Sequence, residues 1–162
     1  MMQPKRILAP IDFSDHSAQA LNAAADIART FGSELCLAHV VPMIPDLPGS
    51  VSILKEGEYE EGLHDEAEQK LADLAQRISQ QGIRARSIIG TANDVGMELI
   101  RMAESESADF IVIATHGMTG WKPLVFGSVA ERVVRNASCP VLLLPAKAAG
   151  KAQDLSAMVA AS

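Results

Sequence analysis

Short apolar runs alternate strictly with longer amphipathic stretches along this chain, and no other sequence feature restricts its fold as severely. The runs are RILAPI (6–11), ELCLAHVV (34–41), IRARSIIG (83–90), DFIVIA (109–114) and PVLLLP (140–145). The run at 109–114 is continuously apolar, as a central parallel strand covered on both faces must be. The mixed run at 34–41 and the partly alternating run at 83–90 suit strands nearer an edge.

The stretches between them carry helical periodicity. Ala18, Leu21, Ala24, Ala25 and Ala28 mark one face of a first helix, which Gly32 ends. Leu63, Ala67, Leu71, Leu74, Ala75 and Ile78 mark a second, ended at Gly82. A third runs from about Asp94 to Ser105 with Leu99, Ile100 and Ala103 inward and Thr91 or Asn93 as cap. Val129, Val133, Val134 and Ala137 define the fourth. The order β-α-β-α-β-α-β-α-β, with helices long enough to cross over, predicts an α/β fold: one open five-stranded parallel sheet wrapped on both faces. Residues 1–146 form this single domain and 147–162 a flexible, Ala/Ser-rich tail. Residues 42–59, rich in Pro and Gly, read as a long loop.

A chain of 162 residues suits one core. Aromatics are only 4%, so that core is built from Ala, Val, Ile, Leu and Met. A formal charge of −6 argues against a nucleic-acid binder, which needs a basic face, but leaves room for a small anion held by backbone amides. The N-terminal stretch is no secretory signal and no apolar run is long enough to span a bilayer, so a cytoplasmic protein without membrane insertion is expected. Cys36 and Cys139 lack redox or zinc spacing and read as small buried hydrophobes.

In an open α/β sheet, ligands bind at the carboxyl ends of the strands, where strand order reverses. ATHGMTGWKPLVFGSVAERVVRN (114–136) follows the fourth strand and carries anion-binding chemistry. Gly117 and Gly120 let backbone approach a ligand closely, and Gly127-Ser128 opens a helix whose first amides lack intrahelical partners. Lys122 and Arg132 lie nearby as cations. The same residues also satisfy a ligand-free account, because Ser128 to Glu131 matches a capping box and glycine suits any strand–helix junction. The stretch is not a Walker A loop, since the G-K-[ST] ending is absent. Asp12, after the first strand, is open to two roles as well: helix cap, shared as a possibility with Ser14, or acceptor for ribose hydroxyls.

Phosphoryl chemistry needs metal-holding carboxylates and a charge clamp. Apart from Asp12, the expected phosphate loop has no acidic residue, and His116 reads as a loop histidine before a general base. No catalytic residue is therefore assigned, with slow phosphoryl hydrolysis as the alternative. Met97 and Met102 read as packing residues and His39 as a buried, hydrogen-bonded histidine. His16 and His64 stand apart from any ligand cluster, so no metal site is assigned. Trp121, the lone tryptophan, falls inside the glycine loop.

Taken together, RILAPIDFSDHSAQAL and HGMTGWKPLVFGSVAERVVRNASCPVLLLP resemble the universal stress protein family over nearly the whole chain. Its ATP-binding members carry G-x2-G-x9-G-[ST] after the fourth strand; Gly117, nine residues and Gly127-Ser128 match, while Ala114 replaces the first glycine. The resemblance implies a Rossmann-like sheet of order 3-2-1-4-5 and an ATP-binding regulator of the stress response, with Mg²⁺ as a possible companion of the nucleotide. It implies adenine beside Val40 and Val41, Asp12 near ribose or adenine, and phosphates along Gly117, Gly127, Ser128 and Val129, with Pro10, Ala114, His116 and Met118 completing the contacts. It further implies a homodimer through Val141–Leu144, in keeping with an apolar edge strand that otherwise invites another chain. A dimeric adaptor that binds no nucleotide is the other implied possibility.

Overall fold

The computed structural model describes residues 3–43, 53–115 and 127–145. The order is β1 (Arg6–Pro10), α1 (Asp15–Phe31), β2 (Glu34–Pro42), α2 (Ile53–Gln80), β3 (Ala85–Ala92), α3 (Val95–Ser105), β4 (Phe110–Ala114), α4 (Ser128–Asn136) and β5 (Val141–Leu144). The strands form one parallel sheet of order β3-β2-β1-β4-β5. All five apolar runs are strands, and the expected order and class are those observed.

The pleat sends alternate residues to opposite faces, and each face has its own core. Ile7, Ala9, Leu35 and Leu37 pack with Ala18, Leu21, Ala24, Ala28, Leu71, Leu74 and Ile78, under α1 and α2. Leu8, Cys36, Ala38, Val40, Ile111 and Ile113 pack with Leu99, Ile100, Met102, Ala103, Ala130 and Val133, under α3 and α4. Burial of Cys36 pushes its thiol up to about 11, which suits a packing residue. Cys139 is only part-buried, and neither cysteine is disulfide-bonded.

Several boundaries differ from the sequence reading. Helix α2 begins at Ile53, inside the segment read as loop 42–59, and β2 runs on to Pro42. Leu54, Lys55, Glu56 and Glu58 are good helix formers, and they outweigh Gly57, which costs only about 1 kcal/mol in a helix. Residues 44–52 and the tail 147–162 lie outside the described residues. Leu63, expected inward, is 37% exposed, and the buried residues described on α2 begin at Ala67. The α3 cap is Asp94, whose side chain accepts from the Met97 amide, whereas Thr91 belongs to β3. Met97 and Val134 are exposed, and Ala130 takes the buried place on α4.

Candidate functional site

Strand β1 pairs with β4 only at Ile7–Phe110 and Leu8–Ile111, while its pairing with β2 continues to Pro10–Ala38. Past Leu8 a crevice therefore opens between the carboxyl ends of β1 and β4, where strand order reverses. A cavity of about 380 Å³ occupies it, within the range typical of small-molecule sites. Ala38, Val40, Leu99 and Ile113 give it an apolar wall on the α3–α4 side, and Gly127, Ser128 and Val129 line it at the start of α4.

The β1–α1 turn is built around two serines. Ser14 caps α1: its hydroxyl accepts from the Ser17 amide at 3.2 Å and donates to Asp12 Oδ1 at 2.5 Å. The Ser14 amide donates to that same oxygen at 3.1 Å. The cap is thus Ser14, and Asp12 is held in the turn as its acceptor on the cavity lining. Between them, Phe13 has a φ of 60°, a left-handed conformation that costs a non-glycine residue about 1–2 kcal/mol. Its ring packs against the His39 ring, with centroids 4.9 Å apart. Nδ1 of His39 bonds to the Ile11 carbonyl at 2.6 Å, so Nδ1 carries the hydrogen. Burial lowers the pKa of His39, against the opposing pull of that carbonyl and of Asp12, and keeps the ring neutral.

Helix α4 opens without a side-chain cap. Gly127 occupies the cap position and makes no side-chain hydrogen bond, and Ser128 is the first helical residue. The expected Ser128–Glu131 capping box does not form, because Glu131 turns outward to Arg135. Among the described residues, no side chain caps this end, which carries partial positive charge, the arrangement that receives anions elsewhere. The Gly127 amide donates to the Thr115 carbonyl at 2.7 Å, which fixes the helix start to the end of β4.

Of the residues singled out from sequence, Pro10, Asp12, Val40, Ala114, Gly127, Ser128 and Val129 line this cavity together. Val41 is buried but follows Val40 along β2, so its side chain faces the α1–α2 side and it is not among the lining residues. His116, Gly117 and Met118, with Gly120, Trp121 and Lys122, lie outside the described residues. The sequence reading missed Ser17, Pro42, Val95, Leu99 and Thr115 as lining residues. Val95 and Leu99 are four residues apart on one face of α3, a spacing that reads equally as core packing. Nor does His64 stand apart: its ring and the carboxylates of Asp65 and Glu68 come within 4.8 Å of one another, because one helical turn stacks i and i+4. Among the described residues, no helix is long and apolar enough to cross a membrane.

The sequence profile of the Universal stress protein family matches residues 4–145. The universal stress protein MJ0531 of Methanocaldococcus jannaschii is 34% identical over 143 residues, covering 86% of this chain and 81% of its own. The solved structure of MJ0577, from the same organism, superposes with a TM-score of 0.77 at 27% identity, over 91% of this chain and all of that one. A universal stress protein from Archaeoglobus fulgidus, solved in complex with dAMP, has the same fold at a TM-score of 0.59 and 24% identity, over 88% of this chain and 98% of its own.

Proposed function

The chain belongs to the universal stress protein family, and we propose that its crevice binds an adenine nucleotide, ATP foremost, as a regulatory ligand. The observation that carries this reading is an apolar slot that ends at a helix start without a side-chain cap. Adenine, apolar on its faces, fits between Val40 and the Val95–Leu99 face, where burial of apolar surface favours it. The ribose lies toward Asp12, and the phosphates run along Gly127, Ser128 and Val129. Ala114 lines the slot and adds only a methyl group there.

Asp12 is the only acidic side chain among the described lining residues. It already accepts two hydrogen bonds from Ser14, which suits it to orient a ribose better than to anchor a metal. Mg²⁺ would arrive on the phosphates, and the site serves occupancy rather than turnover. Domain 1–146 then acts in the cytoplasm as a nucleotide-responsive stress regulator, paired through the free edge of β5 (Val141–Leu144).

Denaturing the purified protein and analysing what it releases tests the reading, followed by calorimetric titration with ATP and Mg²⁺. Saturable binding that Gly127→Val abolishes in a folded protein is the expected result. Gly127 has φ −58° and ψ 149°, which valine adopts without strain, so the substitution narrows the cavity end and spares the backbone. Unchanged affinity in that variant removes the phosphates from this position.

A further inference from the structure

Arg132 lies one turn into α4, the helix whose start lines the cavity, and its side chain is paired with the start of α3. A single carboxylate serves two elements: Asp94 Oδ1 accepts the Met97 amide at 3.1 Å and caps α3, while Oδ2 holds the Arg132 guanidinium at 3.3 Å. A second contact fixes the arginine's stem. A Cβ added to Gly96 would stand 2.6 Å from Arg132 Cγ and 2.7 Å from its Cβ, so the stem lies flat on the Gly96 backbone. The Cβ is fixed to the α4 backbone and moves only with that helix. Helical side chains lean toward the N-terminus, so this stem runs back along the turn that Gly127, Ser128 and Val129 contribute to the cavity. The paired side chains are 52% and 44% exposed, and such a pair adds little to stability. Its effect is on where the positive charge sits.

We propose that Asp94 is a specificity residue of the cavity: it keeps Arg132 against α3 and withholds the guanidinium from the phosphate tail. Anion recognition is then left to the backbone amides of the first turn of α4. The inference rests on the nucleotide reading above and defines its ligand class. The amides of α4 hold the phosphates, and with Arg132 paired to Asp94 each further phosphate strengthens binding less than it would beside a free guanidinium.

The test titrates adenosine, AMP, ADP and ATP into wild type, Asp94→Asn and Arg132→Gln, at low and at high salt. Asn caps a helix as well as Asp does, and Gln keeps the carbons that lie on Gly96, so both variants retain the local packing. Arg132→Gln stays within about twofold of wild type for all four ligands, since an exposed pair contributes little. Asp94→Asn frees the guanidinium and binds ATP about three- to tenfold tighter at low salt, a gain that adenosine does not share and that high salt erases. Asp26→Asn, the same change in net charge on an exposed α1 residue paired to Arg29, leaves ATP affinity unchanged. A tenfold loss of ATP affinity in Arg132→Gln makes that arginine a phosphate ligand and overturns the inference, as does an unchanged ATP-to-adenosine ratio in Asp94→Asn. Wild type that binds none of the four defeats the nucleotide reading itself and takes the inference with it.

Discussion

Gly90 on β3 and Glu98 on α3 meet so closely that a methyl group on Gly90 would stand 2.8 Å from a carboxylate oxygen of Glu98. Glu98 is only 9% exposed, and two hydrogen bonds from Arg101, at 2.9 and 2.5 Å, satisfy its charge. The second obstacle to that methyl is the terminal carbon of Met102, at 2.7 Å. Both obstacles are the far ends of flexible side chains and can yield. At Gly96 the obstacles are Arg132 Cβ, fixed to the α4 backbone, and the Cγ beside it, neither of them the free end of a side chain. Gly90→Ala is therefore expected to cost about 1 kcal/mol or less, and Gly96→Ala about 1–3 kcal/mol despite alanine's better helix propensity. Denaturant unfolding of the two variants checks the order, and a reversal would show that the α3–α4 contact yields more easily than the β3–α3 contact.

Ser14 performs two tasks, capping α1 and holding Asp12 in the turn. Ser14→Ala should lower stability by about 1 kcal/mol, the usual loss for a cap. It should also weaken nucleotide binding, because Asp12 loses the hydroxyl that orients it. Asp12→Asn, with the cap kept, should weaken binding with a smaller loss of stability. Thermal unfolding and titration on the same samples separate the two effects.

His39 gives the fold a pH dependence of definite sign. Its pKa in the folded protein is lowered from 6.5, by burial first, so the unfolded chain takes up the proton more readily. Its share of stability is full above about 6.5 and declines as pH falls from there toward the folded value. His39→Gln can still donate to the Ile11 carbonyl and should flatten the stability profile across that window. An unaltered profile would assign the acid sensitivity to other groups.

The proposed dimer edge makes a residue-by-residue prediction. In a parallel strand, one residue's N–H and C=O point to the same side. The Pro140 and Leu144 carbonyls accept from Ile111 on β4 and from Thr115 just after it, so Val141 and Leu143 present their backbone groups to the outer edge of the described sheet. Leu143→Pro should remove an outward donor and raise the dimer dissociation constant at least about tenfold, leaving the β4–β5 ladder in place. Leu142→Pro should instead destabilise the fold itself. Sedimentation and unfolding measurements distinguish them, and a fully dimeric Leu143→Pro would move the interface away from β5.

The fold was legible because its cores are apolar patterns of fixed period: continuous at 109–114 and helical at Ala18, Leu21, Ala24, Ala25 and Ala28. Sequence could not choose between rival caps. Asp12, Ser14, Asn93, Asp94 and Ser128 are all good cap residues, and the choice depends on which carbonyl or carboxylate folding brings alongside. Ser14 and Asp94 cap their helices, while the start of α4 is left to Gly127. The Asp94–Arg132 pair joins two helices across 38 positions (132 − 94) and has no local pattern to reveal it. Likewise, Val95 and Leu99 look like any inward helical pair until the β1–β4 divergence leaves a space beneath them.

The bond from the Gly127 amide to the Thr115 carbonyl makes residues 116–126 begin and end at a single point of the scaffold. The start of α4 is therefore tied to the end of β4 by a contact that lies outside residues 116–126. Under the proposed function, substitutions at 116–126 would retune ligand preference while that contact holds the framework together.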